Sequence, residues 1–260
     1  MCLLVLAWMK HPRYRLVAAA NRDEFHDRPA VPLAWWPGEA RVLAGRDLRA
    51  GGTWMGVARD GRFGVITNFR DLEAPPAADA PSRGELVPTY LAGTDAPAPY
   101  LARLNGSAAR FAGFNLLVGD ARELHYLSNR DEGGPRRLDP GVYGLSNHRL
   151  DTPWPKLVRS RERLVDALEA GEPAPDDLFA ILGDRELPED DARPDTGLPE
   201  DWERALASPF VLHERYGTRC STVLLARRDG HTVVCERRFD AGGRLTGATR
   251  LEFDAEAAAA

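Results

Sequence analysis

The second residue of the chain is a cysteine, and this position allows chemistry that an internal cysteine cannot do. If Met1 is removed, as is usual when a small residue follows it, Cys2 carries a free α-amine beside its thiol. Reference pKa values of about 7.7–8.0 for the amine and about 8.5 for the thiol let a proton pass between them near neutral pH. One residue would then supply both nucleophile and general base. Cys2 also fits a purely structural role, as a small buried residue that begins a strand.

Polar groups follow three predicted strands at the points where these strands stop. One strand of small residues ends in Asn21, Arg22 and Asp23, and two others end at Asn68 and Asn147. If the first two strands pair, the Asn-Arg-Asp segment returns to the amino end of the chain, with its carboxylate near the amine and its guanidinium near the thiol. An Asn amide can donate to a developing oxyanion, and losing such a donor costs about 2.7–4 kcal/mol. Solvated turns carry the same residue types, so the pattern leaves that alternative open.

Four pairs of strands are predicted from short apolar runs that are separated by turn residues. The first turn contains Pro12, and two later turns contain Asp60-Gly61 and Asp229-Gly230, which supply the positive φ angles of tight hairpins. The predicted pairs are 2–9 with 15–20, 53–57 with 63–67, 115–118 with 124–127, and 222–226 with 232–236.

Two helices are predicted between these strands. Ser82 and Glu85 have the spacing of a capping box, which indicates a helix that begins near Ser82. Thr152 followed by Pro153 predicts a second helix, with Thr152 as its cap and Pro153 in its first position, ending at Gly171.

The segment 173–199 is rich in Pro, Asp and Glu, and predicts a surface loop with a brief helix at 178–182. Strands at both ends of the chain with helices between them indicate an α+β domain.

Composition and missing motifs exclude several classes of function. The chain has 34 basic and 39 acidic residues among 260. Its net charge of −5 does not indicate the basic surface that binds nucleic acid. The longest apolar run, 2–9, is far shorter than a membrane span of about 20 residues and lacks the preceding basic residues of a signal peptide, so we expect a cytoplasmic protein. The sequence has no C-x-x-C, H-x-x-x-H, G-x-S-x-G or phosphate-binding glycine motif, so we expect no metal and no cofactor. Oligomeric state is left open.

A series of short blocks resembles the NRDE family of transport and Golgi organisation 2 protein-like chains. The resemblance runs from the first residue to about Ala226, and its blocks occur in the family's order. They are Met1-Cys2, Ala20-Asn21-Arg22-Asp23-Glu24-Phe25, Gly51-Gly52-Thr53-Trp54, Thr67-Asn68, Arg83-Gly84-Glu85-Leu86, Gly113-Phe114-Asn115-Leu116, Tyr143-Gly144-Leu145-Ser146-Asn147, Thr152-Pro153-Trp154 and Tyr216-Gly217-Thr218-Arg219.

The resemblance implies an α+β fold, the four-layer αββα sandwich of N-terminal-nucleophile hydrolases. We therefore expect a single domain over residues 1–255 and a flexible tail over 256–260. More distantly, the pattern is similar to the cholylglycine hydrolase and penicillin V acylase group, whose members cleave non-peptide amide bonds with an N-terminal cysteine.

Carried over to this chain, the resemblance implies a role for each matching residue. Cys2 would be nucleophile and base, and Asp23 would orient its amine. Asn68 and Asn147 would hold the oxyanion and the substrate carbonyl, and Arg219 would lie near the thiolate. Trp54 and Phe69 would contact the substrate, and Asn21 and Arg22 would support the site. One departure concerns Ala20, which stands where that group has arginine. Either Arg22 or Arg219 would then support the thiolate, or the site no longer hydrolyses amides.

Two functions from different classes are compatible with these residues. The first is an N-terminal-cysteine amidohydrolase, which cleaves a small acyl-amide through an acyl-thioester and needs no cofactor. The second is a non-catalytic carrier or chaperone for haem or a lipid on the same fold, since a fold does not fix a function. For the carrier, four tryptophans are candidates to line the ligand cleft, with core packing as the alternative: Trp35, Trp36, Trp54 and Trp154.

Overall fold

Two antiparallel sheets and five α-helices make up the described part of the chain. The computed structural model describes residues 2–70, 72, 77 and 79–256, with all their side chains except those of residues 2, 39 and 40. In chain order, the strands are β1 (Cys2–Trp8), β2 (Tyr14–Phe25), β3 (Ala30–Trp36), β4 (Glu39–Asp47), β5 (Met55–Ala58), β6 (Phe63–Asn68), β7 (Phe114–Gly119), β8 (Leu124–Ser128), β9 (Arg136–Leu138), β10 (Gly141–Ser146), β11 (Tyr216–Arg227), β12 (His231–Phe239) and β13 (Leu245–Asp254). The helices are α1 (Leu86–Ala92), α2 (Pro97–Asn105), α3 (Pro155–Glu169), α4 (Pro175–Leu182) and α5 (Glu200–Leu206).

The first sheet joins strands from both ends of the chain. Its six strands lie in the order β10-β1-β2-β11-β12-β13. β2 therefore pairs on one side with β1, its neighbour in sequence, and on the other with β11, which follows about 200 residues later. The second sheet has seven strands in the simple order β3 to β9, each paired with the next along the chain.

Three layers of apolar side chains separate the two sheets from each other and from the helices. Residues such as Leu4, Ala18 and Val65 fill the space between the sheets. Leu3, Val17 and the α4 side chains pack on the outer face of the first sheet, together with α3. The outer face of the second sheet is covered in the same way by α1 and α2. The order helix, sheet, sheet, helix is the four-layer αββα sandwich that the resemblance implies.

All four predicted strand pairs are present, and several elements lie outside the prediction. The paired strands are β1 with β2, β5 with β6, β7 with β8, and β11 with β12. The elements not predicted are β3, β4, β9, β13, α2 and α5, whereas β10 is the strand expected to end at Asn147. No helix in the described residues combines the length and the apolar character needed to cross a bilayer. Of the expected tail, Glu256 is described and 257–260 lie outside the described residues.

The prediction for the start of α3 was wrong by two residues. The helix begins at Pro155, with Trp154 as its N-cap, so Pro155 and not Pro153 occupies the first helical position. Thr152 does not cap α3, because its hydroxyl donates to the Arg149 backbone oxygen in the preceding turn, 2.8 Å away. At the other predicted helix, the Ser82 hydroxyl accepts from Gly84 N at 3.3 Å, and a short 3₁₀ turn precedes α1.

Two glycines allow the loop after β4 to pass directly over the turn that precedes α1. A Cβ on Gly52 would lie 2.1 Å from the Gly84 backbone oxygen, a distance at which backbone must shift. The same oxygen accepts a hydrogen bond from Thr53 N at 2.9 Å. The absence of a side chain at Gly52 therefore fixes how closely two of the family-like blocks approach each other.

We predict that Gly52→Ala destabilises the fold by about 1–3 kcal/mol or more, because the added methyl meets backbone that cannot rotate away. Gly106→Ala is the matched control, since a Cβ there would lie 3.5 Å from its nearest neighbour at an ordinary helical φ. Urea unfolding gives both free energies. Equal stability of the two variants would contradict the proposed steric role of Gly52.

Candidate functional site

The candidate site lies where β1, β2 and β11 end at the same edge of the first sheet. Cys2, the first residue of β1, is directly opposite Arg22 of β2, and Arg22 is in turn opposite Cys220 of β11. On the other side of β1, Leu3 is opposite Ser146, so that Asn147 follows next to the amino end of β1. Strand pairing alone thus brings together residues from three distant parts of the sequence.

Alternation along β2 sends neighbouring residues to opposite faces of the sheet. The Asn21 side chain points toward the helix layer, where its amide donates to the backbone oxygens of Leu182 and Pro209, both at 2.9 Å, and its oxygen accepts from Ser221 Oγ. Arg22 points between the sheets. Directly opposite residues of an antiparallel pair share a face, so the register places Cys2 on the same face as Arg22.

The Arg22 guanidinium is held in place by the second sheet. Its Nη2 lies 2.6 Å from Asp47 Oδ2, and its central carbon lies 4.6 Å from the centroid of the Trp54 ring. Arg22 is 5% exposed and Asp47 is 6% exposed. Because both charges are buried and paired, the two sheets are joined at the site by an ion pair with a cation–π contact beneath it.

Asp47, which the sequence analysis did not single out, is hydrogen-bonded through both carboxylate oxygens. Oδ2 accepts from Arg22 and from Arg28 Nε at 2.7 Å, and Oδ1 accepts from the backbone N–H groups of Arg49 and Ala50 at 3.0 and 2.9 Å. Burial acts to raise the pKa of Asp47, but the bonds from Arg28 and Ala50 and the nearby guanidinium charges prevail and lower it. Asp47 therefore remains an anion that fixes two arginines.

Asp23 occupies a different environment, on the helix side of the sheet. It is 2% exposed, and its Oδ1 accepts from Thr218 Oγ1 at 2.6 Å. Burial raises the pKa of Asp23 above its ordinary value, while the charges of Lys156 and Arg22 and the Thr218 hydrogen bond act in the opposite direction. A buried carboxylate of this kind gains strongly from a nearby cation.

These residues surround a polar cleft between the sheets with a volume of about 110 Å³. Three arginines, the acidic residues Glu24 and Asp47, Trp54 and Asn68 line the cleft, and Asp23 borders it although its carboxylate lies on the helix side of the sheet. The lining residues are Arg22, Asp23, Glu24, Arg28, Asp47, Ala50, Thr53, Trp54, Ile66, Asn68, Ser82, Arg83 and Gly84. Four of the site residues expected from sequence, namely Arg22, Asp23, Trp54 and Asn68, thus lie around one cleft.

The two candidate oxyanion amides are joined to each other. Asn147 Nδ2 donates to the Asn68 backbone oxygen at 3.0 Å, and Arg70 N donates to the Asn147 backbone oxygen at 2.7 Å. Asn147 is fully buried, and its Oδ1 has no hydrogen-bond partner among the described residues. Asn68 is half-buried at the end of β6.

Two expected site residues lie away from the polar cleft. Arg219 sits at a bulge of β11, and its Nη1 donates to the His26 backbone oxygen at 2.5 Å. The Phe69 ring packs against the His148 ring at a centroid distance of 5.1 Å. Neither residue belongs to the lining of the cleft.

The candidate cleft tryptophans also separate into different places. Trp35 packs against Phe253, and Trp36 is buried against the α1 and α2 layer. Trp154 lies beneath Arg70, outside the polar cleft. Of the four tryptophans, Trp54 lines the polar cleft. The other three pack elsewhere in the fold, as the alternative of core packing predicts.

A second, mostly apolar cavity of about 350 Å³ adjoins the polar cleft. The two cavities share Glu24 and Asn68 as lining residues. The remaining lining residues are Phe25, Leu198, Pro199, Trp202 and Tyr216, of which the three aromatic rings pack on one another at centroid distances of 5.2 to 6.2 Å. Among the described residues, no group of three side chains is arranged to hold a metal ion.

Comparison with known proteins identifies the family of this chain. The family model described as Transport and Golgi organisation 2 matches residues 1–241. The mouse Transport and Golgi organization 2 homolog is 34% identical over 260 residues, covering 91% of this chain and 92% of that protein. The cattle homolog is 35% identical over 257 residues with the same coverage.

Among solved structures, a Caenorhabditis elegans ortholog of N-acylethanolamine-hydrolyzing acid amidase matches 86% of this chain and 92% of that chain, at 10% identity and a TM-score of 0.49. The sequence matches to the family model and to the mouse and cattle proteins extend over nearly the whole chain. The chain belongs to the Transport and Golgi organisation 2 family.

Proposed function

We propose that the protein is an N-terminal-cysteine amidohydrolase that cleaves a non-peptide C–N bond of a small acyl-amide. The observation that carries this proposal is the register of β1 on β2, which places Cys2 opposite the buried Arg22 at a polar cleft. Asp23 and Asn68 line the same cleft. A nucleophile, a cation, a carboxylate and an amide donor are the parts that acyl transfer through a thioester requires.

In the first half of the reaction, the Cys2 thiol gives its proton to its own α-amine, and the sulfur attacks the substrate carbonyl carbon. The carbonyl oxygen becomes an oxyanion, and we assign its stabilisation to the side-chain amide of Asn68, which lines the cleft. When the oxyanion collapses, the C–N bond breaks. The leaving nitrogen takes the proton from the Cys2 ammonium, and an acyl-thioester remains on the sulfur.

In the second half, the free α-amine of Cys2 removes a proton from water, and the resulting hydroxide attacks the thioester carbonyl. The C–S bond breaks, the acid is released, and the sulfur takes the proton from the Cys2 ammonium, which restores the thiol and the free amine. The apolar cavity next to Asn68 is suited to the acyl group, while the charged cleft is suited to the polar amine product. No cofactor enters either half of this reaction.

Arg22 is the stronger candidate for support of the thiolate. It is opposite Cys2 in the strand ladder and lines the cleft, whereas the Arg219 guanidinium is bonded to the His26 backbone oxygen. The arginine that is missing at Ala20 is thus replaced from two residues later along the same strand, on the same face of the sheet.

We expect Cys2→Ala to reduce hydrolysis to the uncatalysed rate while the protein remains folded, because the nucleophile is lost. Suitable substrates are acyl-aminocoumarin amides from acetyl to palmitoyl, with fluorescence as the measurement. Cys235→Ala is the control, since Cys235 is buried on β12 away from the cleft. Intact mass of untagged protein checks that Met1 is absent. Turnover that survives in Cys2→Ala would refute the mechanism.

We expect Arg22→Gln to raise the pKa of the Cys2 thiol by about one unit or more, because a cation near a thiolate favours the charged form. The pH dependence of iodoacetamide alkylation, followed by mass spectrometry of the Cys2 peptide, gives this value. Arg219→Gln is the matched control and should leave it near the wild-type value. A higher pKa of the Cys2 thiol in Arg219→Gln than in Arg22→Gln would show that Arg219 supports the thiolate instead.

The second candidate function is a carrier of a lipid or haem, which the apolar cavity supports because its three aromatic rings could pack on an apolar ligand. For haem, no histidine lines either cavity in the described part of the chain, so Cys2 is the favoured candidate for the iron ligand. Saturable binding of haem or of an acyl lipid that is lost in Trp202→Ala, without turnover of any amide, would favour the carrier.

A further inference from the structure

The first sheet ends at a long strand that has a regular outer edge. β13 has ten residues and pairs with β12 on one side, and no strand in the described part of the chain pairs with it on the other. Its register with β12 is unbroken from His231 opposite Asp254 to Arg238 opposite Gly247. A regular edge of this kind is a template for another strand, which is why natural proteins usually protect the edges of their sheets.

The other three edges of the two sheets are protected. β9 is only three residues long. At β10, Gly144 N donates to the Asp151 carboxylate at 2.7 Å, and Asp151 N donates to the Gly144 backbone oxygen at 2.8 Å. β3 contains Pro32, its register with β4 shifts twice, and Leu33 N donates to the Glu236 carboxylate at 3.0 Å. Among the described strands, β13 is therefore the edge that is both long and regular.

The hydrogen-bond pattern shows which residues of β13 face outward. Ala255 N donates to the Gly230 backbone oxygen at 3.0 Å, and these two residues extend the ladder of β12 and β13 by one pair. Bonded and non-bonded pairs alternate in an antiparallel ladder, so Asp254 and every second residue before it direct their N–H and C=O groups away from β12. These residues, all exposed, are Ala248, Arg250, Glu252 and Asp254.

The side chains of β13 divide between the two faces of the sheet with the same two-residue period. Leu251 and Phe253 are half-buried and pack against the apolar layer between the sheets. Arg250 and Glu252 are exposed on the opposite face, where Arg250 Nε donates to Glu252 Oε1 at 2.9 Å. The edge thus presents apolar side chains on one face and adjacent charges of opposite sign on the other.

These charges favour one register for a second copy of the same strand. Two antiparallel copies of β13 are related by a twofold axis, and residues directly opposite each other share a face. With the axis at Leu251, Arg250 of each copy lies opposite Glu252 of the other. The two neighbouring registers place Arg250 opposite Arg250, or Glu252 opposite Glu252, and directly opposite like charges destabilise a strand pair.

We propose that β13 is a dimerisation strand, which pairs antiparallel with β13 of a second copy about an axis at Leu251 and joins the two six-stranded sheets into one. A guanidinium has five N–H donors, so Arg250 can bond to Glu252 of both copies. The two Leu251 side chains meet at the axis, where pairing covers apolar surface that is partly exposed in the single chain. This inference is independent of the reaction assigned to Cys2.

Sedimentation equilibrium of the full chain tests the proposal, and wild type should be a dimer. Arg250→Glu and Glu252→Arg should each weaken the dimer about tenfold or more, because like charges then face each other on both sides of the axis. The double variant Arg250→Glu/Glu252→Arg restores opposite charges and should recover the dimer. A monomeric wild type at every concentration, or a dimer that both single variants leave unchanged, would overturn the proposal.

A mixture of the two single variants separates specific pairing from a general effect of surface charge. In the mixed dimer, the acidic pair of Arg250→Glu faces the basic pair of Glu252→Arg, so every cross-strand contact is between opposite charges. Native mass spectrometry should therefore find the mixed dimer in excess over both homodimers. Random association of the two variants would contradict the assigned register.

A cysteine at the axis provides a second test that does not depend on charge. The two Leu251 residues would form a non-hydrogen-bonded pair with Cα atoms about 4.5 Å apart, a distance that a disulfide spans. Leu251→Cys should therefore give a covalent dimer on mild oxidation, above the level that wild type shows. Thr249→Cys is the matched control on the same face, since its two copies would lie about 13 Å apart along the strands and should not crosslink. Crosslinking of Thr249→Cys without that of Leu251→Cys would refute an axis at Leu251.

Discussion

The position of β2 between β1 and β11 is the constraint on which the rest of the site depends. Both neighbours fix its register, so the two-residue period of the strand decides where each side chain of the Asn-Arg-Asp segment goes. Arg22 enters the space between the sheets, and Asn21 and Asp23 face the helices. Three adjacent residues thereby serve three different purposes: attachment of the helix layer, charge in the cleft, and a buried carboxylate.

The cleft is lined by charged side chains that come from both sheets. Asp47 comes from the end of β4 in the second sheet, and its four hydrogen bonds join a local turn to Arg22 of the first sheet and to Arg28 of the loop after β2. Such a buried pair contributes more to uniqueness of geometry than to net stability, since desolvation offsets much of the attraction. The ion pair holds the Arg22 guanidinium in one place beside the strand that begins with Cys2.

Sequence reasoning predicted the hairpins well because their signals are local: Asp60-Gly61 and Asp229-Gly230 supply the positive φ angles of the turns. It also predicted the αββα layers, but through the resemblance. Asp47 was missed because its role arises from contacts between elements far apart in the chain. A lone aspartate before a glycine-rich loop has no spacing pattern that would indicate such contacts. The position of Arg219 in a bulge could not be predicted from the sequence either.

The order of strands in the first sheet also has a consequence for folding. β1 pairs with β10, which follows about 140 residues later, and β2 pairs with β11, which follows about 200 residues later. Pairings of such sequence separation form slowly. Each strand of the second sheet pairs with the next along the chain, so that sheet can form before the first sheet is complete.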